Sequence, residues 1–222
     1  LPRVLNAGVD INFYRPVPGV SYVIWLTPGI IPWFFFSEVL NTGTNCLQEY
    51  HYLVKKVVFE VEMLPVFKLI SCFMVHVCFL VIMIGLYLIS GYMPMITWLQ
   101  ILYYSFAASM LGLALTFFTS AVQVFFKDMA QIVGICLQFG MWLTPIMHDE
   151  KIFTDRAPWL GTVFKLNPFY YIAAGYRDSM MTGNWFFERP TMTLYFWAVT
   201  LILMLIGLKM FKKLRPHFSD VL

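Results

Sequence analysis

From Leu69 to Phe126 the sequence contains no Asp, Glu, Lys or Arg. That run, bounded by Lys68 and Lys127, is rich in Leu, Ile, Val, Phe and Met. It is long enough for two membrane crossings, since a bilayer core needs about 20 apolar residues per helix. The whole chain is 60% hydrophobic and 12% charged, whereas soluble domains carry about 25% charged residues. Lipid leaves backbone N–H and C=O groups without partners outside helices or closed barrels. The long uninterrupted apolar runs therefore predict an all-α, polytopic membrane bundle forming one domain. A net charge of +3 gives no case for nucleic acid as a partner.

The segmentation follows from charge and proline. Residues 1–19 are polar and proline-punctuated and read as an external loop. A first span covers about 20–46, with Pro28 and Pro32 inside it. Each proline removes a backbone donor, so neighbouring helices or a cavity must compensate. Residues 47–63, "LQEYHYLVKKVVFEVEM", carry Glu49, Lys55, Lys56, Glu60 and Glu62 and read as a short surface helix outside lipid. Further spans are expected at about 64–90, 95–125, 129–147 and 190–211, five in all, with a tail at 212–222. Placing Lys209, Lys212, Lys213 and Arg215 in the cytoplasm puts Lys127 and the Lys55/Lys56 helix there too. The uncharged Gly91–Pro94 turn then lies outside. The chain begins at Leu1 and not Met, and an additional first span before it would make six.

This orientation isolates one odd segment, "LNPFYYIAAGYRDSMMTG" (Leu166–Gly183). Its apolar part is only long enough for about 20 Å of helix at ~1.5 Å per residue, and it ends in Arg177 and Asp178. Charges at lipid depth are costly. The segment is therefore expected to dip in from the outer side and return, packed against protein.

Candidate chemistry is sparse. There is no GxxxxGK[ST] phosphate loop, no HExxH and no GxSxG elbow. Cys46, Cys72, Cys78 and Cys136 form no CxxC pair and read as buried apolar residues. His51, His76, His148 and His217 lack ligand spacing. His76 lies within an apolar span, where a satisfied core histidine and a proton relay both fit. Glu38 and Lys68 fit either side chains reaching cytoplasmic water or groups on a pathway or subunit contact. Trp33, Phe34, Phe35, Tyr103, Tyr104 and Trp142 fall within or near span interiors. There, flat rings beyond those of an interfacial belt would stack on sugars. Ala108 and Gly112 have the spacing of a close-packing face.

Taken in order, "LVKKVVFEVEMLP", "VFFKDMAQIVGICLQFGMWLTPIM", "LNPFYYIAAGYRDSMM" and "KKLRPHFSDVL" resemble the membrane subunits of type-2 ABC exporters. They are most similar to the permeases for cell-surface polysaccharides, teichoic acid and O-antigen. Glu60 departs from the proline that family members often carry there. The resemblance implies a permease of the bacterial plasma membrane that is not itself an enzyme. It also implies a homodimer, two separate cytoplasmic ATPase subunits holding ATP and Mg, and a lipid-linked polysaccharide substrate, with no cofactor in this chain. It places an ATPase-coupling helix at about 48–58, with Glu49, Tyr50, Tyr52, Lys55 and Lys56. It places two external gate helices at about 158–165 and 168–181, with Asn167, Pro168, Tyr170, Tyr171, Tyr176, Arg177 and Asp178. A type-2 permease for small drugs or lipids, and a membrane-embedded acyltransferase using His76 or His148, are the alternatives.

Overall fold

The computed structural model describes residues 21–54, 60–148 and 157–221. These form a helical bundle without strands among the described residues. Helix α1 covers Tyr22–Glu49, the one-turn α2 His51–Val54, α3 Met63–Ile89 and α4 Gln100–Phe125. They are followed by α5 (Met129–Leu143), α6 (Pro158–Leu166), α7 (Pro168–Arg177), α8 (Pro190–Leu214) and the short α9 (Phe218–Val221). A 3-10 turn, Ile96–Leu99, leads into α4, and a π turn, Asp178–Thr182, follows α7.

Helices α1 and α4 form the interior. In the apolar windows of α1 and of the Ile96–Phe125 stretch 61% of residues are buried, against 28% in α3 and 22% in α8. The outer two present Met74, Val81 and Ile82, and Leu194, Leu201 and Leu205, to the outside, as lipid-facing helices must. Close approach of α4 to its neighbours depends on small residues. A side chain on Gly112 would meet Val39 at 3.0 Å, and one on Gly207 would meet the Ala114 carbonyl at 2.6 Å. Gly112 is thus part of a packing face, and Ala108 beside it is fully buried. Thr44 and Thr119 add a buried hydroxyl pair at 2.8 Å between α1 and α4.

Proline explains three local features. Pro28 cannot donate to the Ile24 carbonyl four residues earlier, and that carbonyl instead accepts from the buried Tyr87 hydroxyl at 2.7 Å. Thr144, preceding Pro145, is extended (φ −86, ψ 132) and ends α5 at Leu143, as a residue before proline prefers. Asn167, preceding Pro168, is likewise extended (φ −73, ψ 116) and separates α6 from α7. At the end of α3, Gly91 takes φ +86. Its N–H and that of Tyr92 close back on Leu88 and Tyr87, each at 3.1 Å, a Schellman motif that needs glycine.

Several boundaries differ from the sequence expectation. Among the described residues four helices are long and apolar enough to cross a membrane, whereas α5 is a shorter apolar helix. It stops four residues before the expected end because of Pro145. Helix α1 runs on to Glu49, where Lys68 supplies an ion-pair partner at 2.5 Å, and the described part of the expected surface helix is the separate turn His51–Val54. The tail is helical to Leu214 and then turns through Arg215–His217 into α9. The expected external loop at 1–19, residues 55–59 and residues 149–156 of the link before α6 lie outside the described residues.

Contacts fix the relative direction of the elements. Helices α1, α4 and α8 run from one end of the bundle to the other, and α3 returns, with Tyr87 beside Ile24. Lys68, Lys127, Lys209, Lys212, Lys213 and Arg215 collect toward the end marked by Glu49. This is the end that the sequence reading expects in the cytoplasm. Arg215 there pairs with Glu62 at 2.9 Å, tying α8 to the start of α3.

Candidate functional site

Helix α7 descends between the long helices and does not cross. Its first residues pack against the middle of α1, with Phe169 4.8 Å from Trp33 and 5.1 Å from Phe36 between ring centroids. Those residues lie eleven to fourteen positions into α1, roughly 17–21 Å from its Tyr22 end. The other end of α7 returns to the start of α4, where Thr97 Oγ1 donates to the Ser179 carbonyl at 3.0 Å. Helix α7 thus runs antiparallel to α1 along the half that begins at Tyr22 only. It occupies the layer above the end of the short α5.

Each expected gate residue has a defined place. Asn167 caps α7 by accepting from the Phe169 N–H at 3.0 Å, and its amide donates to Thr144 Oγ1 at 2.7 Å. Pro168 takes the first helical position, where its missing N–H costs nothing. Tyr171 is within 3.0 Å of both the Tyr103 and Thr193 hydroxyls and stacks on Phe196. Tyr176 is fully buried. Its hydroxyl lies 2.6 Å from Ser105 Oγ and 3.0 Å from His76 Nε2. Tyr170 is half-buried. Gly175 is required because the Tyr104 ring occupies the space of a Cβ there.

The adjacent charges part company. Arg177 donates to the Pro145 carbonyl at 2.8 Å and to the Ile146 carbonyl, buried acceptors that lie beyond the end of α5. Its guanidinium lies 3.9 Å over the Trp25 ring and fits against Gly29, where a Cβ would stand 2.8 Å from Nη2. Asp178 turns away to Arg189 at 2.9 Å and to the Thr182 hydroxyl at 3.0 Å. Burial raises the Asp178 carboxyl above its ordinary value, with Arg189 opposing that rise. Arg177 therefore latches the hairpin to the end of α5, and Asp178 latches it to the start of α8.

The aromatic residues proposed for a conduit do not share one face. Trp33, Phe35 and Tyr104 are buried within the bundle, Tyr103 is half-buried, and Phe34 and Trp142 are 50% and 70% exposed. Phe34 instead lines a groove of about 730 Å³ between α1 and α3, with Phe67, Phe79, Glu38, Lys68 and His76. His76 is 2% exposed, stacked on Phe35 at 4.4 Å, and its Nδ1 has no partner among the described residues. Of the expected coupling residues, Glu49 pairs with Lys68, whose ammonium lies 5.1 Å over the Tyr50 ring. Tyr52 is exposed. Lys55 and Lys56 lie outside the described residues.

Two glutamines missed by the sequence reading organise the ends of α4. Gln100 accepts from the Phe186 N–H at 2.8 Å and donates to the Asn184 carbonyl at 2.9 Å. Gln123 accepts from the Ala130 N–H at 2.8 Å and donates to the Lys127 carbonyl and Gln48, at 3.1 and 3.2 Å. Polar residues at the rims of an otherwise uncharged run were the available signal, since buried amides need partners.

The ABC-2 type transporter family profile matches residues 9–181. The chain is also similar to the O-antigen export system permease protein RfbA of Klebsiella pneumoniae. That match is 24% identical over 208 residues, covering 91% of this chain and 76% of the relative. The Myxococcus xanthus protein of the same name is 24% identical over 204 residues, covering 90% and 76%.

Proposed function

The chain belongs to the ABC-2 type transporter family, and from that premise we propose that it exports a cell-surface polysaccharide of the O-antigen class in lipid-linked form. It is a multi-pass inner-membrane protein with a transport role. Two copies face each other, and each docks a separate ATPase subunit that binds ATP and Mg. The Glu49–Val54 turn and the Lys55/Lys56 stretch receive the push from that ATPase at the cytoplasmic end.

The observation that carries this reading is the placement of α7. A capped, ten-residue helix stands in the outer half of the bundle, fastened by side chains at both ends. An element of that kind blocks an outer opening at rest and moves as one piece. Release requires the Arg177 contacts to the Pro145 and Ile146 carbonyls and the Asp178–Arg189 pair to be given up. Motion of α1 or α5 relative to α8, driven from the cytoplasmic end, separates those partners. The small-residue packing of α1 on α4 transmits such motion as a rigid body. Phe34 and Trp142, exposed on α1 and α5, are the wall aromatics available to a passing sugar chain.

The test is reconstitution with the partner ATPase in lipid nanodiscs. Hydrolysis is expected to rise when a lipid-linked glycan from the producing cell is added. Hydrolysis indifferent to that glycan but stimulated by small amphiphiles would overturn the reading.

A further inference from the structure

A cleft of about 550 Å³ opens between α7 and the start of α8, within the 300–1,000 Å³ range of small-ligand sites. Half-buried Tyr170, Trp185 and Phe186 line it. The rings are braced from behind: Phe186 stacks on Tyr103 at 4.6 Å and 23°, and Trp185 on Phe187 at 5.7 Å and 14°. Gln100, 3% exposed, clamps the backbone on both sides of Trp185 through Asn184 and Phe186. Trp185 is therefore positioned before any ligand arrives.

The rim is charged but balanced. Asp178 and Glu188 are matched by Arg189 and Lys165. Glu188 uses one carboxylate oxygen on the Trp185 N–H at 3.2 Å and keeps the other free of that bond. Arg189 holds Asp178 at 2.9 Å while its side chain remains 47% exposed. A phosphodiester chain would meet two carboxylates and no net positive field. A purely apolar ligand would strip water from charged groups and give nothing back. A sugar ring suits both parts, with its C–H face on an aromatic plane and its hydroxyl edge on carboxylate and guanidinium groups.

We infer that this cleft is an outer saccharide subsite that holds one or two sugar units of a neutral or weakly charged glycan beside the α7 lid. The inference rests on the export reading above and narrows its substrate toward sugar polymers and away from polyol phosphates.

The test is calorimetric titration of the permease–ATPase complex in nanodiscs with two probes: delipidated glycan from the producing cell's envelope, and poly(glycerol phosphate). The glycan binds with little salt dependence and poly(glycerol phosphate) does not. Trp185→Ala weakens glycan binding by about tenfold or more, while Trp185→Phe, which keeps an aromatic face, stays within about threefold. Equal affinity in wild type and Trp185→Ala overturns the subsite, as does salt-sensitive binding of poly(glycerol phosphate). If Trp185→Ala binds normally while glycan still reaches the cell surface, the subsite fails and the export reading stands. If the complex neither binds nor exports glycan, both fall.

Discussion

Replacing Arg177 by Met keeps most of the side-chain length and removes the latch. The Pro145 and Ile146 carbonyls then lose a donor, at about 1–3 kcal/mol each if no water replaces it. Loss of the stack on Trp25 removes about 0.5–2 kcal/mol more. Relief of a partly buried charge works in the opposite direction. The net destabilisation is on the order of 2–4 kcal/mol, or a fall of about 5–15 °C in the unfolding midpoint for a chain of this size. Thermal unfolding of the purified protein in nanodiscs, followed by tryptophan fluorescence, measures it. Arg177→Lys should recover less than half of the loss, because a point ammonium cannot hold two carbonyls and lie flat on an indole. A midpoint for Arg177→Met within about 1 °C of wild type would refute the latch, as would full rescue by lysine.

Gly175→Ala should destabilise by about 1–3 kcal/mol, because the buried Tyr104 ring has no room to give; unfolding midpoints check this. Tyr176→Phe removes the hydroxyl that meets Ser105 and His76 and should cost about 1–2 kcal/mol by the same assay. Asp178 has a raised carboxyl pKa from burial, so the folded state holds its proton more tightly than the unfolded chain. Its contribution to stability is therefore greatest below the ordinary carboxylate value and declines as pH rises from there to the raised folded value. Unfolding curves across that range should show the decline in wild type and not in Asp178→Asn. Breaking the Glu49–Lys68 pair, in which Glu49 is 47% exposed, should change stability by less than about 1 kcal/mol.

The membrane bundle and the odd character of residues 166–183 were legible because both follow from one-dimensional facts. Charge is absent from Leu69 to Phe126, and a segment with only about 20 Å of helix is too short to span. Compensation for Pro28 was foreseeable in kind, but its donor, Tyr87, is sixty-three residues from the Ile24 carbonyl that it serves. The end of α5 was misjudged because an apolar run continues past Leu143, and the extended backbone that Pro145 imposes on Thr144 outranks hydropathy. The partners of Arg177 and Asp178 were not legible. A helix points successive side chains about 100° apart, and their partners come from α1, the end of α5 and α8, which only folding brings near. The aromatic residues were the least legible, since burying Trp33, Phe35 and Tyr104 while exposing Phe34 depends on which face α1 and α4 present to each other.

The central claim is that α7 enters and leaves on the outer side. In a background with Cys46, Cys72, Cys78 and Cys136 replaced, single cysteines at Trp159, Asn184 and Lys212 can be probed in spheroplasts with a membrane-impermeant thiol reagent. The account predicts labelling of the Trp159 and Asn184 positions from outside, and of the Lys212 position only after permeabilisation. Labelling of the Trp159 and Asn184 positions from opposite sides of the membrane would contradict it.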